Sequence, residues 1–260
     1  GLVANHTRSL ERDSDGTLWI GSGYWDAPGG GLSDYDGHKA SDLGSRIGLP
    51  RGWVSALRRD PRNGFWVGVV PAGQHVPVFT SDTSDVSPSW AGVVPAGLFH
   101  FDGQRLTNVF SGRGNGILGL TLDNDGSLWF GEIAGSLYHF RDDHFREFDS
   151  KEGIPWAWKR SIRRSADGTL WMGMKEMNTE AGALFRYGPG GFTNVTGRFP
   201  LPDDRIQAIE ASPLGALWIA TSAGVLQCDG GRFTVHTVAR GLAGNSVDVL
   251  LIDQKGIVWC

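Results

Sequence analysis

The segment DSDGTLWIG, residues 13 to 21, returns along the chain in altered form. It reappears as DPRNGFWVG ending at Gly68, DNDGSLWFG ending at Gly131, SADGTLWMG ending at Gly173, SPLGALWIA ending at Ala220, and the shorter DQKGIVWC ending at Cys260. The anchors Trp19, Trp66, Trp129, Trp171, Trp218 and Trp259 stand 47, 63, 42, 47 and 41 residues apart. Self-similarity at such a period means one supersecondary unit built repeatedly, each copy burying its apolar face on the next.

Other positions keep the same register. Nine residues before the anchors stand Leu10, Leu57, Leu120, Ile162, Ile209 and Leu250. After the anchors come GLSDYDG, GLFHFDG, SLYHFRD, ALFRYGP and VLQCDGG, each leading into a short aromatic stretch such as RFTVHTV. Each unit reads as four strands, A to D, with the anchor on B and Asp-Gly pairs in the tight turns, where glycine takes positive φ without steric cost. Four-stranded units of this length predict an all-β chain, a β-propeller of four-stranded antiparallel blades, with five complete blades and half of a sixth. The blades fall at about 2–44, 45–112, 113–153, 154–200 and 201–241, with the half blade at 242–260, in a single propeller segment. Helical periodicity is absent, and a β-solenoid, the structural alternative, has shorter repeats.

At 40% hydrophobic and 20% charged residues, the 260-residue chain has the composition of a globular protein. A net charge of −4, with no run of Lys or Arg, offers no field for a phosphate backbone, so nucleic acid is excluded as a partner. No stretch of 18 apolar residues occurs, and no membrane contact is expected within this segment. The two cysteines, Cys228 and Cys260, lie in apolar strand contexts and read as buried thiols.

The stretches GLPRGWVSALRRDPRNGFWVG, residues 48 to 68, and DGTLWIG followed by GGLSDYDG resemble the two-component regulator propeller repeat, found in extracytoplasmic sensor regions of bacterial hybrid histidine kinases. The resemblance implies a fragment of a seven-bladed propeller and a periplasmic or extracytoplasmic location. In that family a second propeller, a small β-sandwich, a membrane span and kinase modules often accompany the first; none of these is in this sequence.

Catalytic signatures are missing. GxxxxGK, HExxH and GxSxG do not occur, and neither do the signatures of a kinase. The acidic pairs Asp142 with Asp143 and Asp203 with Asp204 stand in turn contexts. The DxDG turns at Asp13 and Asp123 lack the later bidentate Glu of a calcium loop and read as hairpins. No catalytic residue, metal site or cofactor is predicted.

The five tryptophans outside the repeat fall in connections. Trp25 and Trp90 lie between strands B and C; Trp53, Trp156 and Trp158 lie between one strand D and the next strand A. In an up-and-down blade these connections share one end, so all five are expected on one face. Aromatic side chains clustered on loops suit stacking on sugar rings. Eleven positions before the anchors stand Arg8, Ser55, Leu118, Arg160, Gln207 and Asp248, and thirteen before stand His6, Trp53, Gly116, Trp158, Arg205 and Ser246. Unlike the apolar row, these vary, and Arg8, Arg160 and Arg205 suit an acidic or hydroxyl-rich ligand. The long connection 69–96 adds His75 and Trp90 as contacts.

The leading expectation is a non-catalytic ligand-binding segment of a sensor, with a small molecule or oligosaccharide held by Trp25, Trp53, Trp90, Trp156, Trp158, Arg8, Arg160, Arg205 and His75. One alternative is a propeller lyase acting on a polysaccharide or antibiotic, with His6, His75, Glu132 and Glu176 as candidates. Another is a protein-interaction or dimerisation platform. Because DQKGIVWC supplies only strands A and B, an incomplete propeller is expected, either an open ring with an exposed edge or one closed by contact with another copy.

Overall fold

The computed structural model describes residues 1–23, 30–71, 96–111, 116–133, 135–176, 181–253 and 256–260. Blade 1 is β1 (Thr7–Arg12), β2 (Leu18–Gly23), β3 (Gly30–Tyr35) and β4 (Ala40–Asp42). Blade 2 is β5 (Gly52–Arg59), β6 (Phe65–Pro71), β7 (Gly97–Phe101) and β8 (Leu106–Phe110). Blade 3 is β9 (Ile117–Leu122), β10 (Leu128–Glu132), β11 (Leu137–Arg141) and β12 (His144–Phe148). Blade 4 is β13 (Ala157–Arg164), β14 (Leu170–Glu176), β15 (Gly182–Gly188) and β16 (Gly191–Asn194). Blade 5 is β17 (Ile206–Ala211), β18 (Leu217–Thr221), β19 (Gly224–Asp229) and β20 (Arg232–His236), followed by a two-stranded sheet of β21 (Leu251–Ile252) and β22 (Val258–Trp259). Strand order within each sheet follows the chain. The chain is thus an all-β propeller fold of five four-stranded antiparallel blades plus the first two strands of another.

The A-to-B turns explain the repeated DxDG. In blade 1 the Asp13 N–H donates to Thr17 O at 2.9 Å, Gly16 takes φ 95°, and Asp15 Oδ1 accepts from Thr17 N at 2.8 Å. Blades 3 and 4 repeat this with Asp125 accepting from Ser127 N and Asp167 from Thr169 N, both at 2.9 Å. The Thr17 N–H holds the Asp15 carboxyl below the usual carboxylate range, and the Ser127 and Ser165 hydroxyls, with the backbone N–H groups second, do the same for Asp125 and Asp167. Those oxygens therefore serve turn geometry, and no metal-ligating cluster occurs among the described residues.

Contacts divide the chain into two compact units, Gly1–Ile117 and Leu118–Cys260. In the first, Trp19 stacks on Phe65 at 3.6 Å within a core that includes Leu32, Leu57, Val67 and Phe99. In the second, one cluster centres on Trp129, Phe148, Ile162 and Met172, and another on Leu184, Ile209, Ile219 and Leu226. The anchors are not equally covered. Trp19, Trp66 and Trp129 are buried, Trp171 and Trp218 are half-buried, and Trp259 is 56% exposed.

Three expectations change. A short helix, α1 (Leu43–Ile47), occupies the crossover after β4, capped by Asp42, which accepts from Ser45 N, and closed by Gly48 at φ 73°. Buried Leu43 and partly buried Ile47 tie it to the core, two positions in five residues, too short a pattern for helical periodicity to show. Cys260 is exposed and Cys228 half-buried; both are free. Trp53 and Trp158 belong to strands, not connections, because β5 and β13 run for eight residues and pair along seven-residue partners, β6 and β14.

Candidate functional site

Strand A carries a bulge at the same place in four blades. The ladder slips between Thr7 and Ser9, Val54 and Ala56, Lys159 and Ser161, and Ile206 and Ala208. The residues stepped over are Arg8, Ser55, Arg160 and Gln207, members of the variable row eleven before the anchor. A bulge bends the strand and re-aims the extra side chain. Here the re-aimed groups meet the next blade: Arg8 stands 6.0 Å from the Trp53 ring centroid, Ser55 Oγ donates to Ile117 O, and Arg160 donates to Gln207 Oε1.

The second unit gathers the most chemistry at this end. Trp158 pairs across the ladder with Lys175 of β14, whose Nζ lies 5.2 Å from the indole centroid. The Arg160 guanidinium lies 5.9 Å from the same ring. Two cations within about 6 Å of one indole are in cation–π range. Trp158 is half-buried, and its Nε1 is buried with no acceptor in the described structure. A buried N–H without a partner costs about 1–3 kcal/mol. Trp156 stands just before β13 and is 50% exposed. The patch therefore offers cations, a buried N–H that lacks an acceptor and the exposed indole of Trp156 to an acceptor-rich ligand. Stacking on Trp158 is a poorer use of it, since cations already occupy the ring.

Arg205 precedes β17 and forks onto Asp203, with Nε 3.1 and 3.3 Å and Nη2 2.9 Å from the carboxylate oxygens, which drives that carboxyl far down. In the first unit, Trp53 is only 8% exposed; its backbone packs against Gly23 and Gly30, where a Cβ would stand 2.5 and 3.0 Å from Trp53 atoms. It packs rather than presents a stacking face. Trp25, His75 and Trp90 lie outside the described residues. Of the candidates for a lyase, Glu132 is buried, accepting from Tyr138 Oη at 3.2 Å beside the buried Lys159. His6 and Glu176 are exposed, and His75 is among the undescribed residues.

Lys175 is the member of the patch that sequence reasoning missed. Its signal was the length of strand B: MGMKE continues the alternation past Gly173, which places Lys175 on the ladder opposite Trp158.

Residues 1–24 match the sequence model of the Two component regulator propeller family, which upholds the resemblance for the first repeat. No protein with a curated description matches. Among solved structures, the extracellular domain of a protein described as a hybrid two component system from B. thetaiotaomicron superposes with TM-score 0.62 at 18% identity, covering 99% of this chain and 32% of its own. PorZ, a surface component of the type-IX secretion system of Porphyromonas gingivalis, gives TM-score 0.62 at 13% identity, covering 100% of this chain and 39% of its own. Regucalcin, a calcium-binding protein from Agrobacterium tumefaciens, gives 0.54 at 18% identity, covering 82% and 67%. At these identities the likeness establishes the fold. The chain spans about a third of the length of the first of these structures.

Proposed function

We propose that this chain is a ligand-binding propeller segment of an extracytoplasmic, periplasmic sensor, and that it holds an acidic glycan at the Trp158 patch without turning it over. The family match at residues 1–24 and the fold shared with an extracellular sensor domain support the sensor reading. Among the described residues no helix is long and apolar enough to cross a membrane. The glycan reading is carried by one observation: Lys175 and Arg160 flank a half-buried indole whose Nε1 lacks an acceptor. A sugar ring with a carboxylate or sulfate supplies the acceptor that the indole lacks, and guanidinium and ammonium groups hold such anions by charge-assisted hydrogen bonds.

Calorimetric titration of the 260-residue chain with acidic and neutral oligosaccharides tests this. Acidic oligosaccharides bind without being consumed, and Trp158→Ala or Lys175→Gln weakens them at least tenfold. Binding that ignores both substitutions would remove the patch from the reading. Degradation of the sugar would replace a sensor with a lyase.

A further inference from the structure

The opposite end of blade 3, where the A-to-B and C-to-D turns emerge, holds a cleft of about 440 Å³ that also reaches the edge of blade 4. That is within the size range of small-molecule sites. Its aromatic residues are Trp129, Phe148 and Tyr187, with Trp129 stacked on His139 at 4.3 Å and tilted against Tyr187 at 5.5 Å. Two of its cations are matched by carboxylates: Arg164 pairs with Asp123 at 2.9 Å and Arg141 with Asp125 at 3.2 Å. The third, Arg146, is exposed and lies 4.4 Å from the Phe148 centroid, with no carboxylate pairing with it among the described residues.

Two donors complete the picture. Trp129 Nε1 and Arg164 Nε, both on residues lining the cleft, are buried and have no acceptor in the described structure. Blade 4 satisfies such an indole through Ser165, six residues before Trp171, which accepts from its Nε1 at 2.9 Å, whereas Trp19 shares the lack of an acceptor with Trp129. The residue in that position of blade 3 is Asp123, and its carboxylate is turned to Arg164. The cleft thus holds two buried donors without acceptors and one unmatched positive charge, beside the half-buried ring of Tyr187.

We propose that this cleft is a second binding site, separate from the Trp158 patch and independent of it, for a carboxylate borne on a ring. The carboxylate forks onto the Arg146 guanidinium, which lies over the Phe148 ring, and the buried N–H groups of Trp129 and Arg164 favour the same acceptor. The ring lies against Tyr187, the half-buried aromatic of the cleft, with Trp129 and Phe148 buried behind it, and the volume admits one or two rings.

The chemistry has two sources, a sugar acid and an aromatic acid, and the test separates them. The intact 260-residue chain is titrated calorimetrically with digalacturonate, with 4-hydroxycinnamate, and with the methyl ester of each. One acid binds, its ester binds at least tenfold more weakly, and Arg146→Ala reproduces that loss while leaving the thermal transition in place, since Arg146 is exposed. Trp158→Ala leaves the Arg146-dependent component of this binding unchanged, whatever it removes from digalacturonate binding at the Trp158 patch. Equal binding of acid and ester, unchanged affinity in Arg146→Ala, or no binding of either acid at millimolar concentration overturns the proposal.

Discussion

At the scale of single residues, the strongest departure from ordinary surface chemistry is Lys159. It is fully buried, and its Nζ donates to the carbonyls of Gly135, Pro155 at 3.3 Å and Ala157 at 3.0 Å. Burial lowers its pKa to about 8, against the pull of the nearby Glu132 carboxylate. In the unfolded chain the amine keeps its ordinary value near 10.5. Because the folded value is the lower one, the unfolded chain binds more protons between those two pH values, and stability rises with pH there. The cost of burying the ammonium is complete below about pH 8 and gone above about pH 10.5. Denaturant unfolding at pH 7.5 and 9.5 should show the parent chain gaining on Lys159→Met by about 2 kcal/mol, since one proton bound only by the unfolded chain is worth about 1.4 kcal/mol for each pH step of one. Parallel behaviour of the two proteins would mean that the amine is better solvated than its burial implies.

At the scale of the blade, neighbouring strands A are joined by ion pairs. Arg58 meets Glu11 at 3.5 Å and Arg59 meets Asp13 at 3.4 Å in the first unit; Arg163 forks onto Glu210 and Arg164 reaches Asp123 in the second. Burial pushes the Glu210 carboxyl up, and Arg163 opposes it. The glycine two residues past each of the first four anchors answers the same close approach, while blade 5 carries Ala220 there. A Cβ on Gly21 would stand 2.2 Å from Ser9 Oγ and 2.7 Å from both Val54 Cγ1 and Val54 O. Part of that wall is backbone of the next blade, which cannot swing aside. Gly21→Ala should therefore cost about 1–3 kcal/mol. Gly188→Ala, where nothing lies within 4 Å, should change stability by less than about 0.5 kcal/mol. Equal midpoints in thermal unfolding would show that the blades can separate enough to admit a methyl group. The blade was legible because Trp19, Gly21 and the Asp15-Gly16 turn each obey a local rule that recurs. What joins one blade to the next was not. The Arg-Arg pairs at 58–59 and 163–164 are visible in the sequence, but their partners are set by neighbouring-strand register. Trp53 looked available because Gly23 and Gly30, which its backbone packs against, belong to another blade. The bulge at Arg8 and Arg160 explains why the variable row varies: those side chains leave the ladder and no longer need to fit it.

At the scale of the whole chain, the two proposed sites must work against the net charge. With 28 acidic and 24 basic side chains the protein carries −4, so an acidic ligand is not drawn in from a distance. Attraction begins within a Debye length of the local cations, about 10 Å at 0.1 M salt. At the Trp158 patch those are Arg160 and Lys175; in the blade 3 cleft the unmatched charge is Arg146. A single partly exposed pair at about 4 Å contributes about 1 kcal/mol in water, and salt can remove no more than it contributes. Screening also relieves the repulsion from the protein's own negative charge, which opposes that loss. Raising NaCl from about 50 to about 300 mM should therefore weaken binding of a monoanionic ligand to the cleft by no more than about fivefold. The ester, which lacks the charge, should bind with the same affinity at both concentrations. A loss of about a hundredfold for the acid would mean that several cations act on it together, and would redraw the site to include Arg141 and Arg164 as direct contacts released from Asp125 and Asp123.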